Sequence, residues 1–306
     1  MGLKVISPGV MSMVVDFGRA GYQHLGVSVG GPMDEFAYLW SNKLLGNHYA
    51  ASVIEVTYGL FECQIQQPTI VAIAGADLEA DINGQPVKPW QTYSVDAGDL
   101  IAFHMPKKGL RAYLAVKGGF KVAKILGSST TVARDGLGGV DRDGAQLKQG
   151  DILELFPSTG PCLEYVPDNF IPDYDEPLEL GVILGYQKDH FLKMEVNRFF
   201  SSDYEITQNI DRMGYRLSGT AIHCDLDGII SEGISYGAVQ IPKDGQPIVL
   251  LRDRQTIGGY PKIGCVTSID AAKLSQRAPR SVVRFKPVDI LEAESERMLY
   301  NKMFGF

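Results

Sequence analysis

The chain has 306 residues, more than one hydrophobic core usually holds when domains run to roughly 100–200 residues, so two domains are expected. With 45% hydrophobic residues, 21% charged residues and 34 glycines, the composition is that of an ordered, turn-rich globular protein and excludes a disordered or low-complexity chain. A net charge of −7, from 29 Lys+Arg against 36 Asp+Glu, leaves no basic footprint for a run of phosphates and argues against nucleic acid as a partner.

Taken in chain order, Met1 to Ile6 lacks the apolar core of a signal peptide, and no stretch approaches the ~18 apolar residues of a membrane span. A cytoplasmic protein without membrane contact is expected. Gly18-Arg19-Ala20-Gly21-Tyr22 and Gly30-Gly31-Pro32-Met33-Asp34 lead into a helix predicted over Pro32 to Leu45, where Met33, Phe36, Ala37, Trp40 and Leu44 share a face and Gly46 supplies the stop. Pro32 suits the first turn of that helix, whose backbone donors could receive an anion. Asp34 reads instead as a side chain that complements the helix dipole.

Short aliphatic and β-branched runs bounded by Gly, Pro, Asn or Asp predict strands at Thr69 to Ala74, Ala112 to Val116, Asp151 to Phe156, Glu179 to Leu184, Pro247 to Leu251 and Ser281 to Lys286. Regular βαβ alternation is absent, which argues against a doubly wound sheet. Five prolines from Pro157 to Pro177 suit an extended connector and place the boundary between an N-terminal domain, 1–165, and a C-terminal domain, 166–306. An internal echo suggests that the halves are related barrels. Gly98 to Phe103, Gly109, Tyr113 to Val116 and Gly118-Gly119-Phe120 parallel Gly237 to Ile241, Gly245, Ile248 to Leu251 and Gly258-Gly259-Tyr260. Two further helices are expected, a short one over Ala271 to Gln276 and one at the end. There Asp289 and Glu292 have capping-box spacing, and Ile290, Ala293 and Met298 could face inward.

Chemistry is sparse. Cys63, Cys162, Cys224 and Cys265 are scattered, with no metal-ligand spacing, and read as reduced structural thiols. Gly233-Ile234-Ser235-Tyr236-Gly237 matches the spacing of a nucleophile elbow, but a strand ending in Pro242 follows it where the elbow needs a helix. There is no P-loop, and Gly136-Leu137-Gly138-Gly139 lacks the flanking strand and helix of a dinucleotide site. Two clusters remain. Asp211 to Arg216 sets two guanidiniums beside a glycine and an aromatic, suited either to holding an anion bidentately or to an Arg212 salt bridge within a barrel rim. Arg252 to Pro261 packs polar groups onto a turn, either as a binding loop or as a structural loop capped by Asp253. Arg212, Tyr215, Asp253 and Gln255 are therefore the catalytic candidates, in one cleft with Tyr260. Arg19, Tyr22, Arg216, Thr256, Gly258, Gly259 and Tyr260 are the candidates for substrate or anion binding, and no metal ligand is assigned.

These stretches also carry a resemblance. Gly18 to Tyr22, Gly30 to Asp34, Asn42, Leu44 to Asn47, Glu55, Gly75-Ala76, Tyr113 to Gly119 and Leu126 to Ser128, followed by Asp211 to Leu217, Gln240 to Pro242, Gly245 to Ile248 and Asp253 to Pro261, resemble the KipA family over nearly the whole chain. That family is also called allophanate hydrolase subunit 2, or biotin-dependent carboxyltransferase-like. Gly139 to Gly144 and Arg277 to Arg280 depart from its pattern, the latter where the family more often has Pro-Gly.

The resemblance implies a mainly β protein of two cyclophilin-like barrels with a few short helices. It implies a role as the C component of an ATP-dependent 5-oxoprolinase, which opens 5-oxo-L-proline to L-glutamate. Its partners would be a KipI-like B component and a LamB/YcsF-like A component, and the chain would be inactive alone. ATP and Mg2+ would be shared with the partners, with no tightly bound cofactor. Lactam resonance makes the ring carbonyl a poor electrophile, so phosphorylation of the amide oxygen is the expected activating step, with Arg212, Arg216 and Gln255 as candidate donors to the ring oxygen. Two other functions stay open: the carboxyltransferase part of a biotin-dependent urea carboxylase, and a non-catalytic protein that binds a KipI-like inhibitor of a sensor kinase.

Overall fold

Where a strand is covered on both sides, its sequence loses the in-and-out alternation of a half-exposed sheet. The two central strands of the first half show this in the computed structural model, which describes residues 2–306. They are buried almost without interruption, from Val71 to Ala76 and from Leu110 to Val116. The chain divides into two compact units, one of Met1–Gly21 with Val29–Asp175, the other of Tyr22–Ser28 with Glu176–Phe306.

The first unit holds strands β1 (Gly2–Pro8), β2 (Met11–Val15), β3 (Val53–Thr57), β4 (Phe61–Ile65), β5 (Thr69–Asp77), β6 (Asp81–Ile82), β7 (Gln85–Pro86), β8 (Gln91–Val95), β9 (Leu100–Ala102), β10 (Lys108–Val116) and β11 (Ile152–Glu154), with helix α1 (Glu35–Leu44). They form two sheets, in the orders β11-β1-β4-β9-β6-β7 and β2-β3-β10-β5-β8. Leu3, Val5 and Ile101 of the first sheet meet Ile54, Val56, Ile73 and Leu114 of the second in one core, closed by Phe61 and Phe103. Helix α1 packs on β5 and β10, which accounts for their unbroken burial.

Helix α1 starts at Glu35, and Pro32 stands before it instead of in its first turn. Asp34 is the N-cap, accepting from Ala37 N at 3.1 Å. The donors ahead of the helix are already used: Met33 N–H donates to Glu55 Oε2 at 2.8 Å and Asp34 N–H to Tyr113 Oη at 2.7 Å. The anion site considered for that turn is thus filled by the protein itself. Gly46, at φ +65°, ends the helix as expected, with Asn47 N–H returning to Asn42 O. The proline-rich stretch is extended but tied along the first unit, through Leu163 N to Leu44 O, Thr92 N to Glu164 O and Tyr174 Oη to Asp34 Oδ2.

The second unit holds β12 (Leu178–Leu184), α2 (Lys193–Ser201), β13 (Tyr204–Ile210), β14 (Gly214–Gly219), β15 (Glu232–Gly233), β16 (Ala238–Gln240), β17 (Ile248–Leu250), β18 (Ile257–Gly258), β19 (Lys262–Val266), α3 (Ser268–Leu274), β20 (Val282–Pro287) and α4 (Ile290–Phe304). Seven strands close a barrel in the order β12-β19-β16-β17-β14-β13-β20, sealed by parallel pairing of β12 with β20. Its interior is filled by Leu180, Val182, Leu217, Val249 and a Phe199–Phe285 stack at 4.3 Å.

The mainly β architecture matches expectation, with two corrections. The echoed hairpins are not equivalent: β16 and β17 pair with one another, whereas β9 and β10 lie in different sheets. Gly118 and Gly119 have positive φ at a turn, whereas Gly258 belongs to β18. At the C-terminus Asp289 caps α4 through Leu291 N, but the expected inward face does not form. Ile290 is 52% and Met298 71% exposed, and the helix docks through Tyr300 with Arg297 over its ring.

Candidate functional site

The two polar clusters resolve into different roles. Asp211 Oδ1 accepts from Met213 N and Gly214 N, an Asx turn that starts β14. Arg212 extends from that turn to Asp253, with Nε to Oδ2 at 2.8 Å and Nη2 to Oδ1 at 3.1 Å, both residues buried. The pairing is the bidentate geometry expected of an arginine and a carboxylate, and the protein supplies the carboxylate. Arg216 likewise meets Asp244 at 2.8 Å, on the surface. Tyr215 is fully buried in the barrel, its hydroxyl donating to Ser275 O at 3.0 Å, a packing position out of a substrate's reach.

The predicted cleft of Arg212, Tyr215, Asp253, Gln255 and Tyr260 therefore does not assemble as one surface. Gln255 and Tyr260 are exposed and Thr256 half-buried, on a loop whose carbonyls at Thr256 and Gly259 accept from Ile234 N and Ile229 N. Gly258 is paired with Glu232 between β15 and β18. In the first unit, Arg19 is buried and donates to the carbonyls of Ile125, Ser128 and Thr130, which makes it a loop clamp. Tyr22 is half-buried beside the short helical turn Gln23–Leu25. Arg252 and Arg254 are also interior. Arg252 lies 4.4 Å over the Tyr236 ring, and Arg254 donates to the carbonyls of Ile234 and Leu251. Burial, reinforced by the neighbouring Arg252 charge, lowers the Arg254 pKa to about 10.

A pocket of about 410 Å³ does form in the second unit, lined by Tyr186, Gln187, Glu232, Ser235, Lys262 and Cys265 with an apolar wall of Ile183, Leu184 and Ala238. Its polar centre is Glu232, which accepts from the Lys262 ammonium, from Tyr186 Oη and from Gln187 Nε2 at 2.8 Å. Gln187 Oε1 in turn accepts Lys262 N–H at 2.7 Å, so one amide braces both members of the pair. Partial burial raises the Glu232 pKa, but the Lys262 pairing and the Tyr186 and Gln187 hydrogen bonds outweigh it, and the net shift is downward. The Cys265 thiol donates to Tyr236 O at 3.0 Å, and burial pushes its pKa up to about 11 against the charges of Arg254 and Lys262.

The strands explain why Lys262 arrives there. Val239 pairs with Gly264 but Gln240 with Lys262, so β19 carries one extra residue at this point. Such a bulge re-aims the side chain next to it. The two sequence motifs end just short of this pair. Lys262 follows the Arg252 to Pro261 cluster and Glu232 precedes the Gly233 to Gly237 motif, yet nothing in the sequence shows that the two segments meet. The serine of that motif lines the pocket, but the strand β16 follows it, so no nucleophile elbow exists.

Among the described residues, no group of three or more His, Cys, Asp or Glu side chains is placed to hold a metal ion, and no helix is long and apolar enough to cross a membrane. Arg212 and Arg216, the two guanidiniums suggested for an anion or for the ring oxygen, are each engaged by a carboxylate of this chain.

The family model for the carboxyltransferase domain, subdomain A and B, matches residues 25–287. The chain is 31% identical to the C subunit of 5-oxoprolinase from Escherichia coli (strain K12), over 99% of its own length and 96% of that protein's. It is 32% identical to the C subunit of 5-oxoprolinase from Haemophilus influenzae, over 93% of its length and 90% of that protein's. The Kluyveromyces lactis urea carboxylase superposes with a TM-score of 0.91 at 25% identity, over 99% of this chain and 29% of that one. With the family match spanning both units, the chain belongs to the carboxyltransferase domain, subdomain A and B, family.

Proposed function

We propose that this chain is the C component of an ATP-dependent 5-oxoprolinase, acting with a KipI-like and a LamB/YcsF-like protein in the cytoplasm. The observation that carries the reading is length: the chain spans nearly the whole of two relatives named as the C subunit of 5-oxoprolinase, whereas it corresponds to less than a third of the urea carboxylase. The pocket favours a part-site. It offers an ammonium, a carboxylate and an amide, but no nucleophile poised by a base and no cradle for a triphosphate. ATP and Mg2+ are then held chiefly by the partners, and this chain binds and orients the organic substrate.

A biotin-dependent carboxyl transfer is the second reading, favoured by the superposition on the urea carboxylase. The two are separated by mixing this chain with the KipI-like and LamB/YcsF-like proteins and following 5-oxoproline, with urea and a carrier bearing N-carboxybiotin as the competing assay. Glutamate release that needs all three proteins supports the oxoprolinase reading, and carboxylation of urea without it supports the second.

A further inference from the structure

We propose that the Glu232–Lys262 pocket binds the amide edge of a five-membered cyclic amide, with Glu232 accepting the ring N–H and Lys262 donating to the ring carbonyl oxygen. The inference deepens the oxoprolinase reading and rests on it. A five-membered lactam holds its amide cis, so that donor and acceptor lie side by side on one edge. A carboxylate beside an ammonium is the complementary edge.

Counting hydrogen-bond capacity narrows the ligand further. A carboxylate accepts at about four lone-pair sites and an ammonium donates three protons. Oε1 of Glu232 receives Lys262 and Gln187, and Oε2 receives Tyr186, which leaves Oε2 one acceptor position. The Lys262 ammonium donates to Glu232 and to Gly233 O at 3.2 Å, which leaves one proton. One acceptor and one donor remain, the complement of a single cis amide. A free carboxylate without an N–H is a poorer match, because it offers no donor to the remaining Oε2 position. The ring methylenes have Ile183, Leu184 and Ala238 to pack on, and about 410 Å³ lies within the ~300–1,000 Å³ of ordinary ligand pockets. Gln187 sets the spacing in advance, since its amide holds Glu232 with one end and the Lys262 backbone with the other. In this arrangement Lys262 takes the role of donor to the ring oxygen that the sequence suggested for Arg212, Arg216 or Gln255.

The test uses the intact isolated chain, since every lining residue belongs to the second unit. Amide resonances of Gly185, Gly233 and Gly264 are followed by 1H–15N NMR during titration with 2-pyrrolidinone and with N-methyl-2-pyrrolidinone, which lacks the N–H. Saturable shifts are expected at these glycines, at least tenfold weaker for the methylated ligand and at least tenfold weaker in Lys262→Met. Equal affinity for the two lactams in the unmodified chain overturns the proposal without requiring any variant to fold. So does displacement of 2-pyrrolidinone by acetate, which would make the site a carboxylate site. If the three-protein mixture releases glutamate from 5-oxoproline while the lactams are not distinguished, the pocket assignment falls and the oxoprolinase reading stands. If no mixture cleaves 5-oxoproline while the Lys262-dependent discrimination holds, the pocket is a cyclic-amide site and the oxoprolinase reading falls.

Discussion

Replacing Arg212 with alanine is expected to cost stability first, whatever it does to activity. Its pair with Asp253 has side chains only 6% and 10% exposed, with both guanidinium contacts at hydrogen-bonding distance. Removing one member of such a pair takes a close counter-charge from a carboxylate in a low-dielectric site, a loss of about 3–5 kcal/mol. The chain supplies its own control in Arg216–Asp244, with the same residue types and the same 2.8 Å contact but side chains 37% and 48% exposed. A solvent-screened pair contributes roughly 0–1 kcal/mol. Urea unfolding of the isolated chain, followed by a probe in the second unit, should show Arg212→Ala losing at least ~3 kcal/mol and Arg216→Ala less than ~1 kcal/mol. The double variant Arg212→Met with Asp253→Leu should recover much of the loss, because burying neither charge avoids the desolvation cost. Equal, small losses at both sites would refute the reasoning and return Arg212 to the candidates for a substrate-facing role.

Other expectations are narrower. Arg280 sits at φ +74°, a left-handed conformation costing roughly 1–2 kcal/mol for a residue with a Cβ, less the greater unfolded-state freedom of glycine. Arg280→Gly should therefore raise stability by up to about 1 kcal/mol in the same urea assay, and a loss would contradict the assigned backbone. Tyr113→Phe removes the hydroxyl that joins Asp34 N–H to Glu55 Oε2 in the first unit, and should destabilise by about 1–3 kcal/mol with the α1 region opening first in hydrogen exchange. Glu232 has a depressed pKa, so its stabilising contribution is fully present above the ordinary glutamate range and lost as pH falls through the lower folded-state value. Lactam shifts at Gly233 should accordingly persist at about pH 6 and vanish only on strong acidification, and loss already near neutrality would speak against a paired Glu232. Cys63 is fully buried and should not react with a thiol reagent at about pH 8 until the chain is unfolded, whereas Cys265, partly buried with its pKa raised to about 11, should react far more slowly than an unperturbed thiol.

How far the sequence carries can be judged residue by residue. The course of α1 was legible because its signals are local, with Gly46 as the stop and apolar residues at helical spacing before it, although its start was read at Pro32 and lies at Glu35 with Asp34 as the cap. The hairpin echo misled for the opposite reason. Turn-bounded strands look alike in sequence, and whether β9 pairs with β10 or leaves for another sheet is settled by non-local packing around Phe61 and Phe103. Arg212 was legible as a bidentate arginine, but its partner could be named only once Asp253 was seen to lie within reach. Lys262 and Glu232 were invisible, because their meeting depends on the extra residue in β19 and on a Gln187 contributed from a distant turn. Terminal helix α4 shows the limit of capping signals: Asp289 fixes where it begins, while the side it buries follows Tyr300 and Arg297.

The central claim is that this chain holds one part of a catalytic site and that other proteins complete it. The most direct measurement is 5-oxoproline-dependent ATP hydrolysis, with glutamate quantified in the same samples, for the chain alone, for the chain with the KipI-like protein, and for both with the LamB/YcsF-like protein. The account predicts no turnover by the chain alone and stoichiometric glutamate and phosphate from the full mixture, abolished when this chain is omitted. Oxoproline cleavage by the isolated chain, or full activity from the partners without it, would contradict it.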